Sequence, residues 1–204
     1  MYAQDKKIAT DLCYEIIKEV SRATRPYFGT PEAGETVKIG ADGTPTSYID
    51  VIAEEIVIRI LKEANVYSYI ESEEIGELRL GKGTKRSISL TQELRRDDIP
   101  QEEKPRFIFL LDPIDGTSNA IKEIPAFGIS IAVAEVPEGR VATLNDVQLA
   151  FISNLANGNF FEAEKGKGCW LNNKRVQPSD EVRISNMTLG GFTKSGTSEA
   201  SKLV

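Results

Sequence analysis

Histidine is absent from all 204 residues, and that absence removes a large block of chemistry. Without imidazole there is no Ser-His or Cys-His nucleophile and no phosphohistidine. A hydrolase built on this chain works with carboxylates, hydroxyls and metal. Cysteine is nearly as scarce: there are two, Cys13 and Cys169. Their spacing makes neither a zinc site nor a redox pair, so both are expected as buried free thiols. No apolar run approaches the roughly 20 residues that cross a bilayer, and residues 1–10 are too polar for a secretory signal. No membrane partner is therefore expected, and cytoplasm is the expected compartment. Positive charge is also short, with 25 Lys and Arg against 31 Asp and Glu, a net charge of −6. That balance argues against nucleic acid as the main partner. A phosphorylated small molecule stays open, because a bound cation reverses the field locally.

What is present describes a globular chain: 40% hydrophobic and 27% charged residues, enough for one core or for one domain and part of another. Ile8, Leu12, Ile16 and Val20 recur every fourth residue, with Cys13 and Ile17 alongside, which predicts an amphipathic helix ending before Pro26. Residues 31–42 are rich in glycine and charge without a period, and read as a loop. Ile49, Ile52, Ala53, Ile56, Val57, Ile60 and Leu61 form the stripe of a second helix, with Asp50 off it. Ser47 and Asp50 have the spacing of an N-terminal capping box. A short strand at 66–70 runs into the acids Glu71, Glu73 and Glu74, which on their own read as a solvated loop. Residues 127–134 alternate as a strand does, and 147–156 and 159–163 flank Asn157-Gly158, a hairpin signal.

The richest stretch is Phe107-Ile-Phe-Leu-Leu-Asp-Pro-Ile-Asp-Gly-Thr-Ser-Asn119. Its unbroken apolar start suits a strand buried on both faces. Pro113 stiffens the turn that follows, so that Asp112, the Ile114 carbonyl and Asp115 can converge. Gly116 permits close approach of a ligand to the backbone, and 117–121 could begin a short helix whose free N–H groups favour an anion. A bland alternative is an Asp-rich turn followed by an N-cap. Against it, two carboxylates about 4 Å apart repel by roughly 4 kcal/mol at an effective dielectric near 20, and a divalent cation relieves this. Hard oxygen ligands suit Mg²⁺.

The hexapeptide Asp112-Pro-Ile-Asp-Gly-Thr117 resembles the signature of the inositol monophosphatase and fructose-1,6-bisphosphatase superfamily of Mg²⁺-dependent, lithium-inhibitable phosphatases. The run from Gly40 to Thr46 is similar to archaeal members, which often act on both substrates. The resemblance implies that Glu73, Asp112, the Ile114 carbonyl and Asp115 ligate two or three Mg²⁺ ions, with Mn²⁺ as a substitute. It implies that Asp50 and Thr117 orient and deprotonate the attacking water, that Glu74 positions a water, and that Asp115, Gly116 and Thr117 hold the phosphate. The loop at 31–42, with Glu35, Lys38 and Asp42, would help place a third metal. The expected reaction is direct attack of a metal-activated water on inositol 1-phosphate or fructose 1,6-bisphosphate. Alternatives are a 3′(2′),5′-bisphosphate nucleotidase of the same superfamily and a catalytically incomplete Mg²⁺/phosphate-binding module.

The implied fold class is α/β, an α+β layered sugar-phosphatase fold. Two N-terminal helices would pack on a largely antiparallel sheet, with the signature at the sheet's edge. Family members commonly form homodimers. Residues 166–176 resemble a structural Gly-x-Gly segment of the family, with Cys169 and Asn173 as substitutions and Trp170 as packing. Residues 78–106 are longer and more charged than in shorter members. They offer a possible strand at 87–90, a helical turn at 91–94, and Lys82, Lys85 and Arg86 as contacts to a distal phosphate. Residues 1–187 are expected as the N-terminal domain, with a strand beginning at 188 and a helix at 198–204 as the start of a C-terminal α/β domain. The family's second signature contains a Trp-Asp pair whose aspartate ligates metal, and this sequence has no such pair. The resemblance thus spans nearly the whole chain but about two thirds of a typical member.

Overall fold

The computed structural model describes residues 1–40, 43, 45–72, 75–80, 85–86, 105–138 and 140–188, with backbone alone at 85–86. The first helix, α1, spans Ala3–Thr24 and buries Ala9, Leu12, Cys13, Ile16, Ile17 and Val20. It ends at Thr24, and Arg25-Pro26-Tyr27 continues as one tighter 3-10 turn. Thr24 turns its hydroxyl back onto the Val20 carbonyl at 2.8 Å and so closes the last turn. The second helix, α2, spans Tyr48–Glu63. Its buried side differs from the expected stripe: Ile52 and Ile56 are only partly buried, while Asp50 and Glu54 are buried. Asp50, placed off the stripe by its polarity, faces inward because it has hydrogen-bond partners there.

The described part of the expected loop, residues 31–40, holds more order than a loop. Thr36–Ile39 forms β1, which pairs antiparallel with β2, Pro45–Ser47. Every residue of β1 is exposed, so no apolar alternation marks it in the sequence. The main sheet has nine strands among the described residues. They are β3 (Ser68–Ser72), β4 (Gly76–Leu80), β5 (Lys85–Arg86), β6 (Phe107–Asp115), β7 (Gly128–Glu135), β8 (Val147–Asn154), β9 (Phe160–Glu164), β10 (Gly168–Leu171) and β11 (Lys174–Val176). Their order across the sheet is β11-β10-β9-β8-β7-β6-β3-β4-β5. All neighbours run antiparallel except β3 and β6, which are parallel. A parallel pair needs a crossover, and α-helical or looped chain must connect its ends.

The signature strand β6 therefore lies inside the sheet, and the hexapeptide sits at the strand's C-terminal end rather than at a sheet edge. Its apolar run explains the position, since an inner strand is covered on both sides. Phe107, Phe109 and Leu111 face the helices, together with Ile129, Ile131 and Val133 of β7 and Leu149 and Phe151 of β8. Each such side chain contributes about 1.5–3 kcal/mol on burial. Ile108 points to the opposite face, where it meets Tyr69 and Ala134 in a smaller cluster.

Two hairpin loops of the sheet differ in build. Asn172 and Asn173 both have positive φ, 49° and 65°, and join β10 to β11 as a two-residue hairpin. The hairpin expected about Asn157-Gly158 forms, with β8 antiparallel to β9, but not on a two-residue turn: only Gly158 has positive φ, at 76°. There the Asn154 side chain accepts from the Ala156 and Asn157 amides, each at 3.0 Å, and a longer loop results. Cys13 is buried as expected, whereas Cys169 is only half-buried. The possible strand at 87–90, the turn at 91–94 and the helix at 198–204 lie outside the described residues. No helix among the described residues is long and apolar enough to cross a membrane.

Candidate active site

The site is built on an irregularity in β6. Asp112 pairs with Ser130 and Asp115 with Gly128, so two residues of β6 stand opposite one of β7. This is a β-bulge, and it absorbs Pro113, whose missing N–H would leave a gap in a regular ladder. Its second effect is geometric. Residues three apart on a strand normally face opposite ways, but the extra residue sets Asp112 and Asp115 opposite Ser130 and Gly128, which share a face. Ile114 fills the core side and is 3% exposed. The bulge thus anchors by an isoleucine and presents two carboxylates on one side.

Local hydrogen bonds lock this turn. The Ile114 amide donates to Asp112 Oδ1 at 3.1 Å, an Asx-type turn. Gly116 follows with φ 84° and ψ 39°, and α3, Thr117–Ile121, begins at once. A Cβ at Gly116 would stand 2.8 Å from the Ala126 carbonyl oxygen, so the chain there passes too close for any side chain. Asn119 holds that same carbonyl through its side-chain amide at 2.8 Å. Opposite Asp115, Gly128 is equally constrained, with a Cβ falling 2.5 Å from the Ser153 carbonyl oxygen.

Across from the bulge stands the start of α2. Asp50 is 7% exposed, yet both its carboxylate oxygens have partners. Ser47 donates its hydroxyl to Oδ2 at 2.7 Å, and the Ser47 amide reaches the same oxygen at 3.3 Å. Thr117 donates to Oδ1 at 2.9 Å, joining residues 67 apart in sequence. The Thr117 hydroxyl also lies 3.0 Å from the Ile114 carbonyl oxygen. The capping-box reading and the functional reading of Asp50 are therefore both compatible with one geometry. Four residues further along α2, buried Glu54 pairs with Lys38 of β1 and ties the hairpin to the helix. The clue to that pair is a carboxylate one turn from Asp50 on the same helix face.

The structure brings together Asp50 and Thr117, and places Asp112, Ile114, Asp115 and Gly116 in the adjoining turn. Glu73 and Glu74 lie outside the described residues. Among the described residues no group of three or more acids, cysteines or histidines is gathered for a metal. Of the cations expected at a distal phosphate, Lys82 lies outside the described residues, while Lys85 and Arg86 appear as backbone in β5. Sequence reading passed over Ser130 and Gly128, which face the two aspartates; their signal is the Gly-Ile-Ser alternation that opens β7. From Asp112 a trough of about 530 Å³ runs over the second face of the sheet, lined by Glu71, Leu110, Ser130, Ala132 and Ile152 among others. Its lining is mostly apolar, with Glu71, Ser72, Asp112 and Ser130 as the polar members.

Comparison with known proteins finds relatives of this chain. A fructose-1,6-bisphosphatase/inositol-1-monophosphatase of Methanothermobacter thermautotrophicus is 40% identical over 176 residues, covering 86% of this chain and 56% of the relative. A bifunctional NADP phosphatase/NAD kinase of Methanocaldococcus jannaschii is 36% identical over 180 residues, covering 78% of this chain and 28% of the relative. Among solved structures, an inositol monophosphatase–fructose 1,6-bisphosphatase superposes with a TM-score of 0.63 at 25% identity, over 84% of this chain and 55% of its own. The chain spans about half the length of the fructose-bisphosphatase relatives it matches. The family model described as inositol monophosphatase family matches residues 3–202. With nearly every residue inside that match, and the bulged hexapeptide at its centre, this chain belongs to the inositol monophosphatase family.

Proposed function

We propose that this chain carries the signature and metal site of a Mg²⁺-dependent phosphatase that hydrolyses a phosphate monoester of inositol or fructose. The observation that carries the reading is the hydrogen bond from Thr117 to buried Asp50, made beside a bulge that sets two aspartates on one face. A lone Asp-rich turn has no use for a carboxylate brought from 67 residues away. Asp112, the Ile114 carbonyl and Asp115 would hold the ion, with Glu73 as a further ligand by its match to the family pattern. This all-oxygen donor set fits Mg²⁺. When bound, the ion supplies charge stabilisation for the phosphoryl oxygens and the leaving alkoxide.

The chain's own residues do the rest. Thr117 can accept a hydrogen from an attacking water while donating its own to Asp50, so the pair orients the water and draws off its proton. Backbone N–H groups of Gly116 and Thr117 hold the phosphate, and Glu74 positions a water. The water oxygen bonds to phosphorus, the ester oxygen departs and takes up a proton, and no phosphoenzyme forms.

The test is phosphate release from inositol 1-phosphate and fructose 1,6-bisphosphate, with and without Mg²⁺. Asp112→Asn and Asp115→Asn should each lower release by at least about a hundredfold with the far-ultraviolet circular dichroism unchanged. Release that persists undiminished in chelator sinks the reading. Because relatives include NADP phosphatases, NADP⁺ and a 3′,5′-bisphosphate nucleotide belong in the same assay. A second reading, a metal-binding module without turnover on the same scaffold, is separated from the first by the same assay. It predicts that Mg²⁺ raises the melting temperature while no substrate is cleaved.

A further inference from the structure

Ser47 stands where three structures meet. It ends β2, where it pairs with Thr36 of β1. It is the N-cap of α2, accepting the Asp50 amide on its hydroxyl oxygen. The same hydroxyl donates to Asp50 Oδ2 at 2.7 Å, since an ionised carboxylate can only accept. We propose that Ser47 is a positioning residue for the hydrolysis, holding the Asp50 carboxylate so that Oδ1 stays turned to Thr117. The inference rests on the phosphatase reading above.

The argument is one of occupancy. A carboxylate is planar, so fixing one oxygen fixes the direction of the other. Ser47 occupies Oδ2 through both hydroxyl and amide, which leaves Oδ1 for Thr117 at 2.9 Å. Asp50 is 7% exposed, so water cannot readily replace the hydroxyl. Ser47 is held in turn by the hairpin, and the next amide, of Tyr48, donates to the Glu35 carbonyl at 2.8 Å. The β1–β2 hairpin thereby sets the angle at which Asp50 meets Thr117. A serine that only caps the helix would influence stability and nothing else.

The variants Ser47→Gly, Ser47→Ala and Ser47→Thr separate the two roles. Glycine is a tolerable N-cap but has no hydroxyl, alanine is a poor cap without a hydroxyl, and threonine retains both functions. Ser47→Gly should hold its melting temperature within about 2 °C of the parent while kcat falls about tenfold and KM stays within about twofold. Ser47→Thr should restore kcat. A Ser47→Gly protein with parental kcat overturns the proposal, as does a Ser47→Thr protein no better than Ser47→Gly. If the parent releases no phosphate from any substrate, the phosphatase reading has failed separately, and the geometry is judged by nuclear magnetic resonance. Three-bond couplings to Asp50 Cγ should then report one χ1 rotamer in the parent and in Ser47→Thr, and averaging in Ser47→Gly. Unaveraged couplings in Ser47→Gly overturn the positioning role.

Discussion

Gly116 combines two constraints that usually occur apart. Its φ of 84° lies in the left-handed region, which costs a residue with a Cβ about 1–2 kcal/mol. Its Cβ position also lies 2.8 Å from the Ala126 carbonyl oxygen, closer than carbon and oxygen can stand. Gly158 has a similar φ of 76° but nothing within 4 Å of a Cβ. Alanine at the two sites should therefore separate strain from collision. Gly158→Ala should lose about 1 kcal/mol in urea unfolding, and Gly116→Ala about 3 kcal/mol or more, because the backbone of the turn must move. Equal losses would show that the contact with Ala126 is relieved at no cost. The need for glycine at 116 was legible in the hexapeptide, because the turn chemistry of Asp-Pro-x-Asp-Gly is local. The bulge was not, since it exists only in the register with Ser130 and Gly128 on another strand. The burial of Asp50 was hidden for the same reason: its partner Thr117 is remote in sequence.

At the scale of elements, α1 is fastened to the sheet by more than its apolar stripe. Tyr14 packs its ring against Phe151 and Phe160, with centroids 5.8 and 5.5 Å away, and its hydroxyl donates to Glu162 of β9. Burial, then the hydrogen bond to Glu162 and that carboxylate's charge, push the phenol up to about 12 from an ordinary 10.0. A raised value favours the protonated form in the fold. The stabilisation is therefore complete below about pH 10 and is lost as pH rises through about 12. The difference in urea midpoint between parent and Tyr14→Phe should be flat from pH 8 to about 10 and shrink above it. A constant difference up to pH 12 would show that the phenol contributes no such linkage. Both long helices were legible, because a 3.6-residue apolar period is a strong local signal. The hairpin β1–β2 was not, because exposed strands carry no such period. The β8–β9 hairpin was legible in Asn157-Gly158, but its loop length was not: the Asn154 side chain takes the Ala156 and Asn157 amides, and a longer loop results.

For the whole molecule, the layered fold follows from which faces are apolar. The helices and the strongest apolar run, Phe107, Phe109 and Leu111 with their neighbours on β7 and β8, share one face. The opposite face has a small cluster of Tyr69, Ile108 and Ala134, and beside it the trough of about 530 Å³ bounded by Leu110, Ala132, Ala150 and Ile152. Ile152 is 52% exposed and Leu144, at the rim, is 82% exposed. An apolar concavity of this size on a solvent-facing sheet behaves as a binding surface for amphiphiles. The chain of 204 residues should therefore bind anilinonaphthalene sulfonate in its native state, with fluorescence well above that of the free dye. Ile152→Ser should weaken that signal while leaving the unfolding midpoint nearly unchanged, because the side chain it removes is already half in water. Dye binding that survives Ile152→Ser unaltered would mean that the dye sits elsewhere, and native protein that leaves the dye dark would mean that this face is covered in solution.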